Sequence, residues 1–325
     1  MGLIRAILIA ALLLVSSPAQ AQFVGWSFYR WLDEQTSLSL SQAVATITEA
    51  DQREWLGYLA SAELDGRKPN TAGYRKAVEY VEAHCRHWGI NTIRQTVPRW
   101  DDNLIAWIEG ENPDKVLVIG AHLDHLGNGY LGADDNGSGS SALMGLAYAF
   151  SRMPKPPITV AFHWYTAEES GLIGSKHYVD NPILPRDNPS IRSHVGMINL
   201  DMVGWLRTTG GTVRATVPFA QHIRDLSPSY GFGPSILADV NRNNSDHAPF
   251  RRAGVPVVFL HTGLHNHYHK RTDTVDRINF LGLTRISRFA AELTWRVAND
   301  SQTVQSQLVR DCRTGRLYWN YSLAP

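Results

Sequence analysis

Four short apolar runs, at 116–121, 158–166, 194–202 and 255–262, constrain the fold of this 325-residue chain more than any other feature. Each is rich in β-branched or aromatic residues and too short to be a typical helix, so each reads as a strand buried on both faces. A helical pattern at 138–150 separates the first two, and another at 281–297 follows the last. Upstream, GYRKAVEYVEAHCRHW places Ala77, Val78, Tyr80, Val81 and Cys85 at helical spacing until Gly89 ends the pattern. Strands alternating with helices are joined by crossovers, which predicts one α/β domain: a mostly parallel mixed central sheet with helices on both faces.

Charge and termini narrow what such a domain meets. Lys plus Arg (31) nearly equals Asp plus Glu (30), so no basic field exists to attract nucleic acid. Two cysteines, Cys85 and Cys312, are too few for a thiolate zinc site, so a metal would be held by His and carboxylates. Residues 1–21 read as an export signal: a positive start at Arg5, an apolar run over 6–15 and the small-x-small site Ala19-Gln20-Ala21. That run is short of the ~20 residues a bilayer span needs. The expected product is therefore periplasmic or secreted, with no stable membrane span after cleavage near Ala21. An aromatic lead-in covers 22–44, the domain 45–300 and a tail 301–325.

The chemistry-bearing residues sit where those strands end. His122 and Asp124 follow VLVIGA, and Glu168 and Glu169 follow ITVAFHWYTA. Asp201 follows HVGMINL, and His265, His267 and His269 follow VPVVFLHT. In an open parallel sheet the carboxyl ends of neighbouring strands share one edge, where ligands bind. The loop GADDNGSG adds Asp134 and Asp135, with Ser138 read as a helix cap. Taken singly, each is an ordinary loop or capping residue, and His163 and His261, inside apolar runs, read as packed or surface histidines. Recurrence at every strand end favours function instead. Histidines and carboxylates without sulfur suit a zinc site with an open position.

The segments AHLDHLG, GADDNGSG, TAEESGLIGS, INLDMVG, SDHAPF and YHKRTDT, in that order, resemble the dizinc aminopeptidase family. Its relatives include bacterial leucyl aminopeptidases, aminopeptidase Y, carboxypeptidase Q, glutamate carboxypeptidase II and the glutaminyl cyclases. The likeness runs from about Glu63 to Ile278. It implies a zinc exopeptidase fold, peptide substrates and two Zn2+ per chain. By the same resemblance, His122 and Asp201 serve one zinc, Glu169 and His269 the other, and Asp135 bridges them while Asp134 does not. Asp124 would orient His122, Glu168 would be the general base, and Tyr268 would assist at the oxyanion. Lys270-Arg271-Thr272-Asp273-Thr274 is what selects His269 within HNHYH. The resemblance also implies a cis peptide between Asp135 and Asn136.

Other readings on this scaffold differ in what they require. A glutaminyl cyclase works with one zinc, a carboxypeptidase needs a cation for the substrate's terminal carboxylate, and an inactive binding module loses ligands. The ligand set here is intact, which favours a peptidase over a cyclase or a binding module; the expected activity is that of an aminopeptidase, with a carboxypeptidase on the same fold as the alternative. No G-x-S-x-G elbow follows a strand, which argues against a serine hydrolase. Trp100 to Asn103 runs almost directly into the first ligand strand, leaving no room for a protease-associated insert. Cys85 is either a buried thiol or half of a Cys85–Cys312 bridge.

Overall fold

Seven strands form one sheet: β1 (Asn91–Gln95), β2 (Asn103–Ile108), β3 (Asn112–His122), β4 (Ile158–Tyr165), β5 (His194–Leu200), β6 (Thr212–Ala215) and β7 (Val257–His261). The computed structural model describes residues 37–206, 212–215, 217–232, 244–300, 308–310 and 317–319. The export segment, most of the lead-in and Cys312 lie outside them. Among the described residues, Cys85 is buried and has no disulfide partner.

The strand order is β1-β2-β4-β3-β5-β7-β6. The central four, β4-β3-β5-β7, are parallel and correspond to the four apolar runs. The edges are antiparallel: β1 with β2, β2 with β4, and β6 with β7. Sequence patterning had not distinguished these edge strands. A strand such as NTIRQ, half-exposed along one edge, carries no continuous apolar run.

Helices cover both faces: α1 (Leu40–Ala45), α2 (Glu49–Leu59), α3 (Ala72–His87), α4 (Gly139–Ser151), α5 (Ile173–Asp180), α6 (Val217–Leu226), α7 (His247–Arg252) and α8 (Phe280–Asn299). Strand alternation divides the core. Leu117, Ile119, Phe162, Trp164 and Ile198 point to one side, packing with Leu56 of α2, Val81 of α3, Leu143 of α4 and Phe289 of α8. Val116, Val118, Ala161, Met197 and Val257 point to the other, against Tyr178 of α5 and Phe250 of α7. Each Val, Leu, Ile, Phe or Met among them, fully buried, stabilises the fold by ~1.5–3 kcal/mol. In α1, Ala43 and Val44 join the first core. In the tail, β8 (Leu308–Arg310) and β9 (Leu317–Trp319) form a separate antiparallel pair. Among the described residues, no helix is long and apolar enough to cross a membrane.

Behind the sheet, His194 hydrogen-bonds Tyr178 Oη through Nε2 (2.8 Å) and the Ser190 carbonyl through Nδ1 (2.9 Å). Burial lowers its pKa to about 4. His163, also buried, is lowered in the same direction. These imidazoles stay neutral when folded but take up protons when unfolded, below the usual histidine pKa of ~6.5. Stability therefore falls as pH drops from ~6.5 towards 4, by ~3 kcal/mol for His194 alone. Urea unfolding of chelator-treated protein across this window reads the effect. A flat profile would mean the two histidines are not held neutral.

Candidate metal centre

The parallel centre of the sheet brings the expected residues to one edge. His122 ends β3, Glu168 and Glu169 follow β4, Asp201 follows β5, and His269 lies beyond β7. Three of these loops turn through left-handed backbone at a non-glycine residue, Ala167 before Glu168, Met202 after Asp201, and His269 itself. Such conformations are costly and persist where surrounding contacts hold them, often at functional sites.

Asp135 stands between the two histidines. Its Oδ1 is 3.4 Å from His122 Nε2, and its Oδ2 is 3.0 Å from His269 Nε2. His122 Nε2 is also 3.6 Å from Asp201 Oδ1, and His269 Nε2 is 3.2 Å from Glu169 Oε2. Donors sharing one tetrahedral zinc at bonds of ~2.0–2.2 Å stand ~3.3–3.6 Å apart, so both groups are close to the spacing a metal needs. Asp135 Oδ2 is buried and takes no well-aligned hydrogen bond, as suits an oxygen facing a cation rather than an N–H. The donor set of imidazoles and carboxylates therefore fits zinc. Glu168 also has an oxygen within reach of His122 and Asp201, all three donor atoms lying within 4.8 Å of one another.

Electrostatics agree with a site built for positive charge. Burial disfavours the Asp135 carboxylate, yet the adjacent His122 and His269 outweigh it and hold its pKa well below the usual range. Burial likewise opposes ionised Glu169, but hydrogen bonds from His125 and His269 lower its pKa. Glu168 behaves differently: burial, reinforced by Asp246, Asp201 and Asp124, raises its pKa well above the carboxylate norm despite the opposing His122. Burial also works against a charged His122, but Glu168, Asp135 and Asp201 together raise its pKa.

The remaining expected residues are close by. His122 Nδ1 donates to the backbone carbonyl of Asp124 (3.1 Å), while the Asp124 carboxylate is 3.8 Å away. That carboxylate instead accepts the backbone N–H groups of Glu168 (3.0 Å) and Glu169 (3.3 Å), linking the loops after β3 and β4. Tyr268 stacks on His269 with ring centroids 3.8 Å apart and lines the cleft with Met202, Phe259 and Leu264. The three loop histidines separate by partner. His265 Nε2 reaches Asp134 Oδ2 (2.9 Å), His267 Nδ1 reaches Thr272 Oγ1 (2.9 Å), and only His269 of the three faces Asp135 and Glu169.

The peptide bond between Asp135 and Asn136 is cis. Ser138 directly precedes α4, in the N-cap position, but does not cap it through its side chain. Its hydroxyl donates to the Asp134 carbonyl and accepts from Val203 N, while Asn136 Oδ1 accepts the Gly139 N–H. His261 is not a bystander: its Nδ1 donates to the Asp201 carbonyl (2.8 Å) and its ring lines the cleft.

Several residues of the site were not singled out from sequence. Asp273 accepts the backbone N–H groups of Asp134 and Asp135, so the segment that follows His269 also holds the Asp134–Asp135 loop. Arg67 is buried beneath that loop and donates to the carbonyls of Leu59, Leu123, Leu131 and Gly132. Gly66 makes this possible, because a Cβ there would lie 2.0 Å from the Tyr130 carbonyl oxygen. His125 is buried with Nδ1 2.7 Å from Glu169 Oε1. The signal for Asp273 and His125 was their place inside two recognised motifs; Arg67 had none beyond its place in the ELDGR lead-in.

This architecture is shared with solved α/β enzymes. The aminopeptidase LapA of Legionella pneumophila superposes with a TM-score of 0.67 at 21% identity, over 82% of this chain and 76% of that one. The glutaminyl cyclase of Porphyromonas gingivalis does so with a TM-score of 0.64 at 19% identity, over 76% and 97% respectively. The model of peptidase family M28 matches residues 103–294, over half of the chain, and the chain belongs to that family. Leupeptin-inactivating enzyme 1 of Streptomyces exfoliatus is 32% identical over 264 residues, which cover 74% of this chain. The matched part spans 59% of that relative's length.

Proposed function

We propose that this chain is an exported dizinc aminopeptidase that removes single residues from the amino ends of peptides. The observation that carries the reading is Asp135, whose two carboxylate oxygens face His122 and His269 separately. His122 and Asp201 would hold one zinc and Glu169 and His269 the other, with Asp135 common to both. Anionic charge between two close dications is what permits them to sit together. The names of relatives and fold neighbours, an aminopeptidase and a leupeptin-inactivating enzyme among them, support this activity.

Two zinc ions supply Lewis acidity for the scissile carbonyl and lower the pKa of the attacking water. The chain's own residues do the rest. Glu168, outside both ligand sets in this assignment, takes the proton of the attacking water and returns it to the leaving amine. A raised carboxyl pKa, from burial first, matches it to that proton transfer. Asp124 fixes the Glu168-Glu169 backbone and His122 by its own backbone carbonyl. Tyr268, exposed at the cleft, would donate to the oxyanion.

A panel of free, N-blocked and C-blocked dipeptides, assayed before and after chelation, tests the proposal. Hydrolysis is expected only with a free amino terminus, lost on chelation and restored by zinc. Cleavage of N-blocked substrates would instead make the enzyme a carboxypeptidase, and cyclisation of amino-terminal Gln without hydrolysis would make it a glutaminyl cyclase.

A further inference from the structure

We infer that His125 is a positioning residue for the second metal site, donating through Nδ1–H to Glu169 Oε1 so that Glu169 offers only Oε2 to the ion. The inference rests on the dizinc reading above.

Geometry separates this role from that of a ligand. His125, Asp135 and Glu169 together could hold an ion, their donor atoms lying within 4.8 Å of one another. Yet His125 Nδ1 is 2.7 Å from Glu169 Oε1 and 3.9 Å from Asp135 Oδ2. The shorter distance is that of a charge-assisted hydrogen bond, below the ~3.3–3.6 Å between two donors on one tetrahedral zinc. The other oxygen of Glu169 is the one at ligand spacing, 3.2 Å from His269 Nε2. The tautomer agrees. Among the described residues, His125 Nε2 is buried without a partner. With the proton on Nδ1, that atom is an unpaired acceptor. Were Nδ1 a ligand, it would be a buried N–H without an acceptor, the rarer and costlier case.

The ring cannot easily leave this pose. It packs on Gly132, where an added Cβ would lie 2.5 Å from the His125 Cγ. Its backbone N–H bonds the Arg67 carbonyl at 3.4 Å, continuing the frame under the loop. A hydrogen bond that orients a ligand is commonly worth 10–100-fold in metal affinity.

The test compares wild type with His125→Leu, which removes the donor, and His125→Asn, whose Nδ2 can donate from nearly the same place. Zinc affinity is read by competition with a chromogenic chelator on the full chain, with thermal unfolding of the metal-free proteins as the check on folding. The expected result is two zinc ions in wild type, a ~10–100-fold weaker affinity at one site only in His125→Leu, and near-wild-type affinity in His125→Asn. Unchanged affinities in a folded His125→Leu would overturn the inference, as would an equal loss in both variants, which would mark the imidazole as a ligand. If His125→Leu does not fold, 15N spectra of histidine-labelled, zinc-loaded wild type decide, the His125 signal being assigned by its loss in His125→Asn: protonated Nδ1 supports positioning, and coordinated Nδ1 overturns it. Fewer than two zinc ions in wild type would instead refute the dizinc reading on which the inference stands.

Discussion

Glu168→Gln should retain both metals and lower kcat by ~10²–10⁴, the usual range for a positioned acid-base group. Its neighbour should behave in the opposite way: Glu169→Gln should release metal, because one ligand oxygen of the carboxylate pair is replaced by a weaker amide. The contrast is sharp because the two side chains are adjacent in sequence and their backbone N–H groups share Asp124 as acceptor. What divides them is where their oxygens lie. Glu169 reaches His269 at 3.2 Å and His125 at 2.7 Å, whereas burial raises the pKa of Glu168. Metal analysis alongside steady-state kinetics reads both effects. Depleted Glu168→Gln with fully loaded Glu169→Gln would reverse the two roles and refute the assignment.

Arg67→Met should lower the unfolding free energy by ~3–5 kcal/mol, the scale for breaking a buried, charge-bearing network from one side. Burial lowers the pKa of this guanidinium to about 10, so it remains charged at neutral pH. Its donors serve four backbone carbonyls, and each left buried and unpaired costs ~1–3 kcal/mol before relaxation. Two of those carbonyls belong to Leu131 and Gly132, which lead into Asp134 and Asp135. Metal affinity should therefore fall together with stability. Urea unfolding of the metal-free protein measures the first effect and chelator competition the second. Wild-type stability in Arg67→Met would mean the carbonyls find other donors.

Much of this was legible in the chain itself. A strand buried on both faces must be apolar along its length, so 116–121, 158–166, 194–202 and 255–262 marked β3, β4, β5 and β7. Parallel strands place their carboxyl ends together, so His122, Glu168, Glu169, Asp201 and the loop carrying His265, His267 and His269 could be gathered before any coordinates. The family resemblance, not the pattern, then singled out Asp135 over Asp134 and His269 within its loop. The strands and their shared edge follow from burial and periodicity, which are local and therefore written in the residues.

The tertiary structure alone decided the rest, because a hydrogen bond across loops depends on how the loops dock. His265, His267 and His269 are alike in type and spacing, yet their partners are Asp134, Thr272 and the Asp135–Glu169 pair. Asp273 looks like an ordinary turn residue until its carboxylate meets the N–H groups of Asp134 and Asp135. Ser138 reads as a cap until Asn136 Oδ1 takes that role. The antiparallel edge strands β1 and β6 have neighbours on one side only, so less of their surface must be apolar and their pattern is weaker. Residue type determined which groups could bind a metal, and docking determined which of them face one another across the site and which hold the others in place.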